Sequence, residues 1–403
     1  MAIGDIFTAA VESVAPGGDG VLRYGGRTVF MALAAPGDRV TGRIREERRD
    51  WALAELLEIT GPSPLRVKPE CPLYGECGGC SLQHINYQAQ LDAKETALTD
   101  CLAHIGGLTP PRCTVVPSPP WEYRNRVSLH AVRANKGPRC GFKARESGEI
   151  IPVEDCPVLD PGIRGVLKTL KPPPGKDRFT LYARGPLLLA EEGTELSAGN
   201  AASRGSAVLL DRKITLDASC FFQANGTALE ALVGQLLLTA KETASAFPGG
   251  KMADLYAGVG TFSLFLSEFF PDGTDLMEEN ARALNLAKTN LTARSSGPDR
   301  PAGPFRFFPQ KDETWAGKQS LRPYTFVLAD PPRKGLSPAL ARKLAEETPP
   351  VFAYVSCDPA SLARDSRVLT GAYHLDELYF FDFYPQTAHI ESLAVFRKKR
   401  GSS

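Results

Sequence analysis

The rhythm of hydrophobic and polar positions changes twice along the 403 residues of this chain. In residues 1–62, short apolar runs such as Val29-Phe30-Met31 and Val40-Thr41-Gly42-Arg43-Ile44 are broken by the turn signals GGDG, YGGRT and APGDR. Short strands at that spacing, punctuated by Gly and Pro, predict a small β-barrel of the oligonucleotide-binding type. The linker GPSPLRVKPEC ends this unit. Residues 63–220 mix strand-like FTLYA, PLLLA and SAVLL with Pro/Gly-rich connections such as KPPPGKD, which predicts an α+β domain. In residues 221–403 helical and strand periods alternate. ALEALVGQLLLTAKETA leads to MADLY, TFSLFLSEF, TDLME, NARALNLAKTNLTA, a connection through FRFFPQKDETW, TFVLADPP, SPALARKLAEE, VFAYVSC, PASLARDSRVL and two final strands. Such alternation predicts a mainly parallel, Rossmann-like sheet with its ligands at the carboxyl ends of the strands.

Composition narrows the class. Hydrophobic residues make up 43% of the chain, enough to fill real cores. No apolar run approaches the roughly 18 residues of a membrane span. The N-terminus carries Asp5 and Glu12 and no basic segment of a secretory signal. A cytoplasmic, monomeric protein away from membranes is expected, with its nine cysteines reduced. Net charge is only +1, but between Trp121 and Arg145 the cations Arg124, Arg126, Arg133, Lys136, Arg139, Lys143 and Arg145 face one acid, Glu122. With Trp121, Tyr123 and Phe142 interleaved, this stretch suits phosphate contacts and base stacking, or equally a solvated β-ribbon.

Chemistry concentrates at the predicted strand ends. DLYAGVGTFS places Gly258 and Gly260 between a strand and a helix, and the next strand ends in Glu278. A glycine turn with an acid about 20 residues on suits a nucleoside, the acid accepting from the ribose hydroxyls. There is no G-x-G-x-x-G and no phosphate-gripping lysine, so S-adenosylmethionine fits better than a dinucleotide or a nucleoside triphosphate. The prolines of Asp330-Pro331-Pro332-Arg333 force the chain out of the sheet and expose Asp330 at the active-site rim. One strand along, YVSCDP puts Cys357 at a helix N-terminus, which is expected to favour its thiolate. His389 and Glu391 stand two apart before the last strand.

A methyl donor, a cysteine and a carboxylate serve one reaction. Thiolate addition to carbon 6 of uracil makes carbon 5 nucleophilic enough to accept a methyl group, and a base must then remove the carbon-5 proton. Cys357 would be the nucleophile, Glu391 the base, and Asp330 would hold the ring or the donor. Elsewhere, Cys71, Cys77, Cys80 (CPLYGECGGC) and Cys156 (EDCPVL) form a candidate four-thiolate site for zinc or an iron–sulfur cluster.

GGDGVLRYGGRTVFMALAAPGDRV, DPPRKG, YVSCDPASLARD and PQTAHIES, in this order over almost the whole chain, resemble the signatures of the RNA uracil-5-methyltransferases of the TrmA/RlmD type. The resemblance implies a TRAM domain at residues 1–62, a central domain with an iron–sulfur site, and a class I methyltransferase domain. It implies Cys357 as nucleophile and Glu391 as proton acceptor. It places Gln223, Tyr256, Thr261, Glu278 and Asp330 in the S-adenosylmethionine site, and a [4Fe-4S] cluster on the four cysteines. 23S ribosomal RNA is the implied substrate, with transfer RNA second. The chain departs from the pattern at Asp358, where Asn is usual, at Ser361, where Thr is usual, and at Thr261, where Asn is usual. A cytosine-5 enzyme would carry a cysteine in DPPR, an amino-methyltransferase an aromatic at Arg333, and a non-catalytic RNA-binding protein would need neither Cys357 nor Glu391.

Overall fold

The computed structural model describes residues 1–134, 137–196, 199–294 and 304–401. Five strands, β1 (Ile6–Val14), β2 (Gly20–Tyr24), β3 (Arg27–Met31), β4 (Arg39–Glu47) and β5 (Trp51–Gly61), close a barrel in the order β1-β2-β3-β5-β4. Phe7, Val11, Leu22, Val29, Met31, Val40 and Ile44 point inward and fill it. Closure removes the exposed edges that so small a sheet would otherwise present.

Helix α1 (Tyr87–His104) follows, its N-terminus capped by Asn86, which accepts from the Ala89 amide at 3.0 Å. Next comes β6 (Cys113–Val116). The central sheet is built from β7 (Arg126–Ala134), β8 (Gly137–Lys143), β9 (Ile150–Pro152), β10 (Arg178–Arg184) and β11 (Leu187–Ala190), in the order β11-β10-β7-β8-β9. The short α2 (Pro161–Arg164) packs on it, and two hairpins, β12 (Glu195–Leu196) with β13 (Gly199–Asn200) and β14 (Arg204–Leu209) with β15 (Arg212–Asp217), complete the module.

The C-terminal unit runs α3 (Gly226–Ala246), β16 (Lys251–Leu255), α4 (Thr261–Leu266), β17 (Thr274–Met277), α5 (Ala281–Arg294), β18 (Phe305–Phe308), α6 (Asp312–Lys318), β19 (Tyr324–Ala329), α7 (Pro338–Glu347), β20 (Val351–Ser356), α8 (Pro359–Leu369), β21 (Tyr373–Phe381) and β22 (Glu391–Lys398). Its sheet order is β18-β17-β16-β19-β20-β22-β21-β6, parallel from β18 to β20 and antiparallel at β22. One face packs on α3, α4 and α5, the other on α1, α6, α7 and α8. Successive β20 residues therefore go to opposite cores, Val351, Ala353 and Val355 to one and Phe352 and Tyr354 to the other. Burial on both sides is why VFAYV reads as an unbroken apolar run. Two expectations are corrected here. The stretch read as a connection contains edge strand β18 and helix α6, and α1 and β6 pack with the C-terminal sheet rather than with the middle domain.

Candidate active site

The chain reverses direction across the sheet at β16, whose neighbours are β17 on one side and β19 on the other. A crevice opens outside the carboxyl ends of the strands at such a switch point. Here it is a cavity of about 830 Å³.

The backbone leaving β16 sets the donor end. Tyr256 takes φ +63°, Gly258 +54° and Gly260 +79°, so left-handed steps turn the chain from strand into α4. A Cβ on Gly260 would stand 3.0 Å from the Ala287 Cβ, so glycine also lets α4 approach α5. Glu278, just beyond β17, accepts from the Gly258 amide at 2.9 Å and the Asn280 amide at 2.7 Å. The Tyr256 hydroxyl donates to Asp312 at 2.6 Å, and Asp312 also accepts from the Ser337 amide at 3.0 Å. Asp254, in β16, accepts from the amide and the hydroxyl of Ser263 and so ties strand to helix. Its second oxygen has no partner, and burial pushes its carboxyl up to about 7. Asp330 accepts from Gln223 at 3.4 Å, and burial, followed by the Asp254 charge, pushes it up to about 7 as well.

The reactive end is made by strand pairing. The antiparallel register of β20 and β22 ends at Ser356 opposite Ser392. Cys357 directly follows this register and Glu391 directly precedes it; both line the cavity, and the Glu391 charge acts on the Cys357 thiol. Glu391 is 3% exposed, with one carboxyl oxygen unpartnered. Burial and then Asp330 hold its carboxyl well above the usual range, against the pull of Arg333. The Cys357 thiol is pushed up to about 12 by burial, then by Glu391 and Asp330, with Arg333 opposing. The expected helix-terminus effect is therefore outweighed. Asp358 itself caps α8, its side chain accepting from the Ser361 amide at 2.7 Å. Arg333 donates to His389 Nδ1 at 3.1 Å. Burial, reinforced by Arg333, pushes the imidazole down to about 4, so it is neutral near pH 7 and able to accept.

Gln223, Tyr256, Thr261, Glu278, Asp330, Cys357 and Glu391 all line this one cavity, and so do Cys71, Cys77, Cys80 and Cys156. Burial pushes Cys80 up to about 11 and Cys156 up to about 12, and raises Cys77 as well. The positive charge of Arg124 opposes the rise at all three. Among the described residues no three His, Cys, Asp or Glu side chains form a ready single-ion site.

Of the basic stretch, Arg124, Arg126 and Phe142 line the cavity, joined by Arg178. Lys143 and Arg145 line an adjoining groove of about 610 Å³ that meets it at Arg333, Cys357 and His389. Arg139 lies exposed and paired with Glu154, as on a solvated ribbon, whereas Tyr123 is buried, donating to the Pro385 carbonyl, and is not offered for stacking. Lys136 lies outside the described residues. Sequence reasoning missed Asp254 and Tyr384 and gave Arg333 no role. Asp254 and Arg333 lie inside quoted motifs, whereas nothing local distinguishes Tyr384, which lines the cavity beside His389.

A family described as tRNA (Uracil-5-)-methyltransferase matches residues 318–400, the segment that carries Asp330, Cys357 and Glu391. The 23S rRNA (uracil(1939)-C(5))-methyltransferase RlmD of Shewanella denitrificans is 30% identical, covering 94% of this chain and 93% of its own. The chain belongs to the RNA uracil-5-methyltransferase family. An uncharacterized RNA methyltransferase of Protochlamydia amoebophila is 31% identical over 96% of both chains. The architecture is also that of the Pyrococcus abyssi tRNA (uracil-54, C5)-methyltransferase, solved with S-adenosyl-L-homocysteine, at TM-score 0.73 and 24% identity over 97% of this chain and 100% of that one. As a uracil-5-methyltransferase this protein takes its methyl group from S-adenosylmethionine and delivers it to carbon 5 of a uracil in RNA. No helix among the described residues is long and apolar enough to cross a membrane.

Proposed function

We propose that this methyltransferase modifies a uridine of 23S ribosomal RNA, with Cys357 as nucleophile and Glu391 as base. The observation that supports this reading is that Cys357 and Glu391, each next to the end of the β20–β22 register, line one cavity with the glycine turn and Glu278. On this reading Glu278 accepts from the ribose of the donor, supported by its lining the cavity together with Tyr256, Thr261 and Gln223, which donates to Asp330. S-adenosylmethionine supplies an electrophilic methyl on a sulfonium. The Cys357 thiolate adds to carbon 6, forming a C–S bond and sending an electron pair to carbon 5. Carbon 5 takes the methyl, and the donor leaves as a neutral thioether. Glu391, ionised, then removes the carbon-5 proton while the C–S bond breaks and the thiolate returns. The positive charge of Arg333 favours the ionised form of both Cys357 and Glu391. The uridine must be unstacked to reach the thiol, so a loop or bulge is its expected context.

The four cysteines fit a thiolate-bound [4Fe-4S] cluster better than four free thiols. They line the same cavity, the Gly79 amide points at the Cys77 sulfur at 3.4 Å, and Arg124 offsets negative charge on three of them. Zinc, the alternative occupant, would need the thiols drawn closer together, because no three described ligands form a ready single-ion site. Methyl transfer moves no net electron, so the group would act on structure or RNA contact. Ribosomal RNA is preferred over transfer RNA on the name carried by the 30% identical Shewanella relative; the barrel does not discriminate, because the 24% identical Pyrococcus transfer-RNA enzyme shares the architecture.

The test uses 5-fluorouridine-substituted 23S ribosomal and transfer RNA transcripts with S-adenosylmethionine on denaturing gels. Fluorine cannot leave as a proton does, so the adduct is trapped. A crosslink to ribosomal RNA that Cys357→Ala abolishes is the expected result. A crosslink to transfer RNA alone would overturn the substrate, and an undiminished crosslink in Cys357→Ala would overturn the nucleophile.

A further inference from the structure

The segment from Asp382 to Ile390 delivers Glu391 to β22 without strand or helix of its own, and its shape is imposed from outside. Gln386 holds φ +67°, a left-handed backbone that a non-glycine residue keeps only when its surroundings insist. Its carbonyl accepts from the amides of both Ser81 and Leu82 at 3.0 Å. The Ala388 amide donates to the Ser81 hydroxyl oxygen at 3.0 Å. From α1, Gln90 accepts from the Gln386 amide at 2.9 Å and donates to its side-chain oxygen at 3.0 Å. Ser81 directly follows Cys80 and is itself held, its carbonyl accepting from the Tyr74 hydroxyl at 2.8 Å. The barrel closes the junction: a Cβ on Gly18 (φ +94°) would lie 2.7 Å from the Ser81 hydroxyl oxygen and 3.2 Å from the Ala388 Cβ. Barrel, cysteine loop and base-bearing segment therefore meet at one hydroxyl. Cys357 is reached differently, from β20 and the capped start of α8, and no described hydrogen bond of Ser81 extends to it.

We propose that Ser81 is a positioning residue for the base: the cysteine loop, through Ser81, and α1, through Gln90, hold residues 386–388 so that Glu391 meets the carbon-5 proton. The inference rests on the assignment of Glu391 as base. It gives the cysteine loop a task in the last chemical step, adduct breakdown, and none in the first, thiolate addition.

The experiment compares full-length wild type, Ser81→Ala and Gln90→Ala, with iron and zinc content measured for each. Two rates are read on denaturing gels: crosslinking to 5-fluorouridine RNA, which reports adduct formation, and turnover of ordinary RNA together with the fraction of enzyme caught as adduct. Both variants should form the crosslink within about twofold of wild type and turn over about fivefold more slowly, the effect of losing a neutral hydrogen bond, with adduct accumulating on ordinary RNA. Unchanged turnover in both variants overturns the proposal. A parallel fall of both rates also overturns it, because that is the signature of a general structural or RNA-binding role. Glu391→Gln is run alongside. Failure of that variant to accumulate adduct removes the base assignment and the positioning role with it, an outcome distinct from failure of Ser81→Ala and Gln90→Ala alone.

Discussion

Charge on the methyl donor should decide how the buried carboxyls of this methyltransferase ionise. Asp254 and Asp330 are both pushed up to about 7, mainly by burial, and Glu391 is held well above the usual carboxylate range by burial and then Asp330. S-adenosylmethionine carries a sulfonium, whereas its product, S-adenosylhomocysteine, is a neutral thioether. At an effective dielectric of ~20, a positive charge ~5 Å from one carboxylate is worth about 3 kcal/mol, or roughly a hundredfold in affinity. The advantage exists only against an ionised carboxylate. Near pH 5.5 the carboxyls are protonated and the two ligands should bind alike. As pH rises through 7, the affinity ratio should climb toward a hundredfold in favour of the sulfonium, and its binding at pH 7 should expel protons. Calorimetric titration of both ligands between pH 5.5 and 8, in buffers of different ionisation enthalpy, measures both effects. An affinity ratio flat with pH, with no proton release, would refute the reasoning.

Asp254→Asn tests the same electrostatics through stability. Its folded value of about 7 lies above the ordinary 3.8, so the stabilisation present in acid is lost as pH rises from about 4 through 7. The variant should be more stable than wild type at pH 8, by at most roughly 4 kcal/mol, and no more stable below pH 4; thermal melts showing no pH-dependent difference would contradict this. Lys94, 3% exposed, donates to fully buried Asp382 at 2.8 Å and to the Tyr384 carbonyl at 3.0 Å. Lys94→Met leaves that carboxylate alone and should cost about 3–5 kcal/mol in urea unfolding, with Asp382→Asn recovering part; a loss below about 1 kcal/mol would show the pair to be idle. Protein purified without oxygen should be brown with about four irons per chain, and Cys156→Ser should bleach it. Colourless protein with stoichiometric zinc would reassign the cysteines.

What could be read along the chain was local. The alternation of residues 221–403 survives as a sheet because each inner strand is buried on both faces and each helix on one, so burial writes its period into the residues themselves. The DLYAGVG turn was legible for a similar reason: only glycine tolerates φ +79° at position 260 with α5 so near, and the requirement leaves a mark in the sequence. FRFF was read as a connection because an edge strand, only partly covered, carries no clear two-residue period. That α1 and β6 join the C-terminal sheet, and that Tyr123 is buried under Pro385 rather than offered to RNA, depends on partners hundreds of residues away.

The electrostatics belonged wholly to the tertiary structure. Local sequence at Cys357, a helix start, argues for a thiolate, whereas the folded surroundings push the thiol up to about 12. Beside burial, that balance is set by Glu391 and by the Asp330-Pro331-Pro332-Arg333 motif, which come from two other places in the chain. Desolvation and charge act through space, and a linear chain records spacing but not depth. The sequence by itself determined which groups could do the chemistry and the element that each one ends; only the packing of β20 against β22, and of the cysteine loop against residues 386–388, decided how they stand to one another.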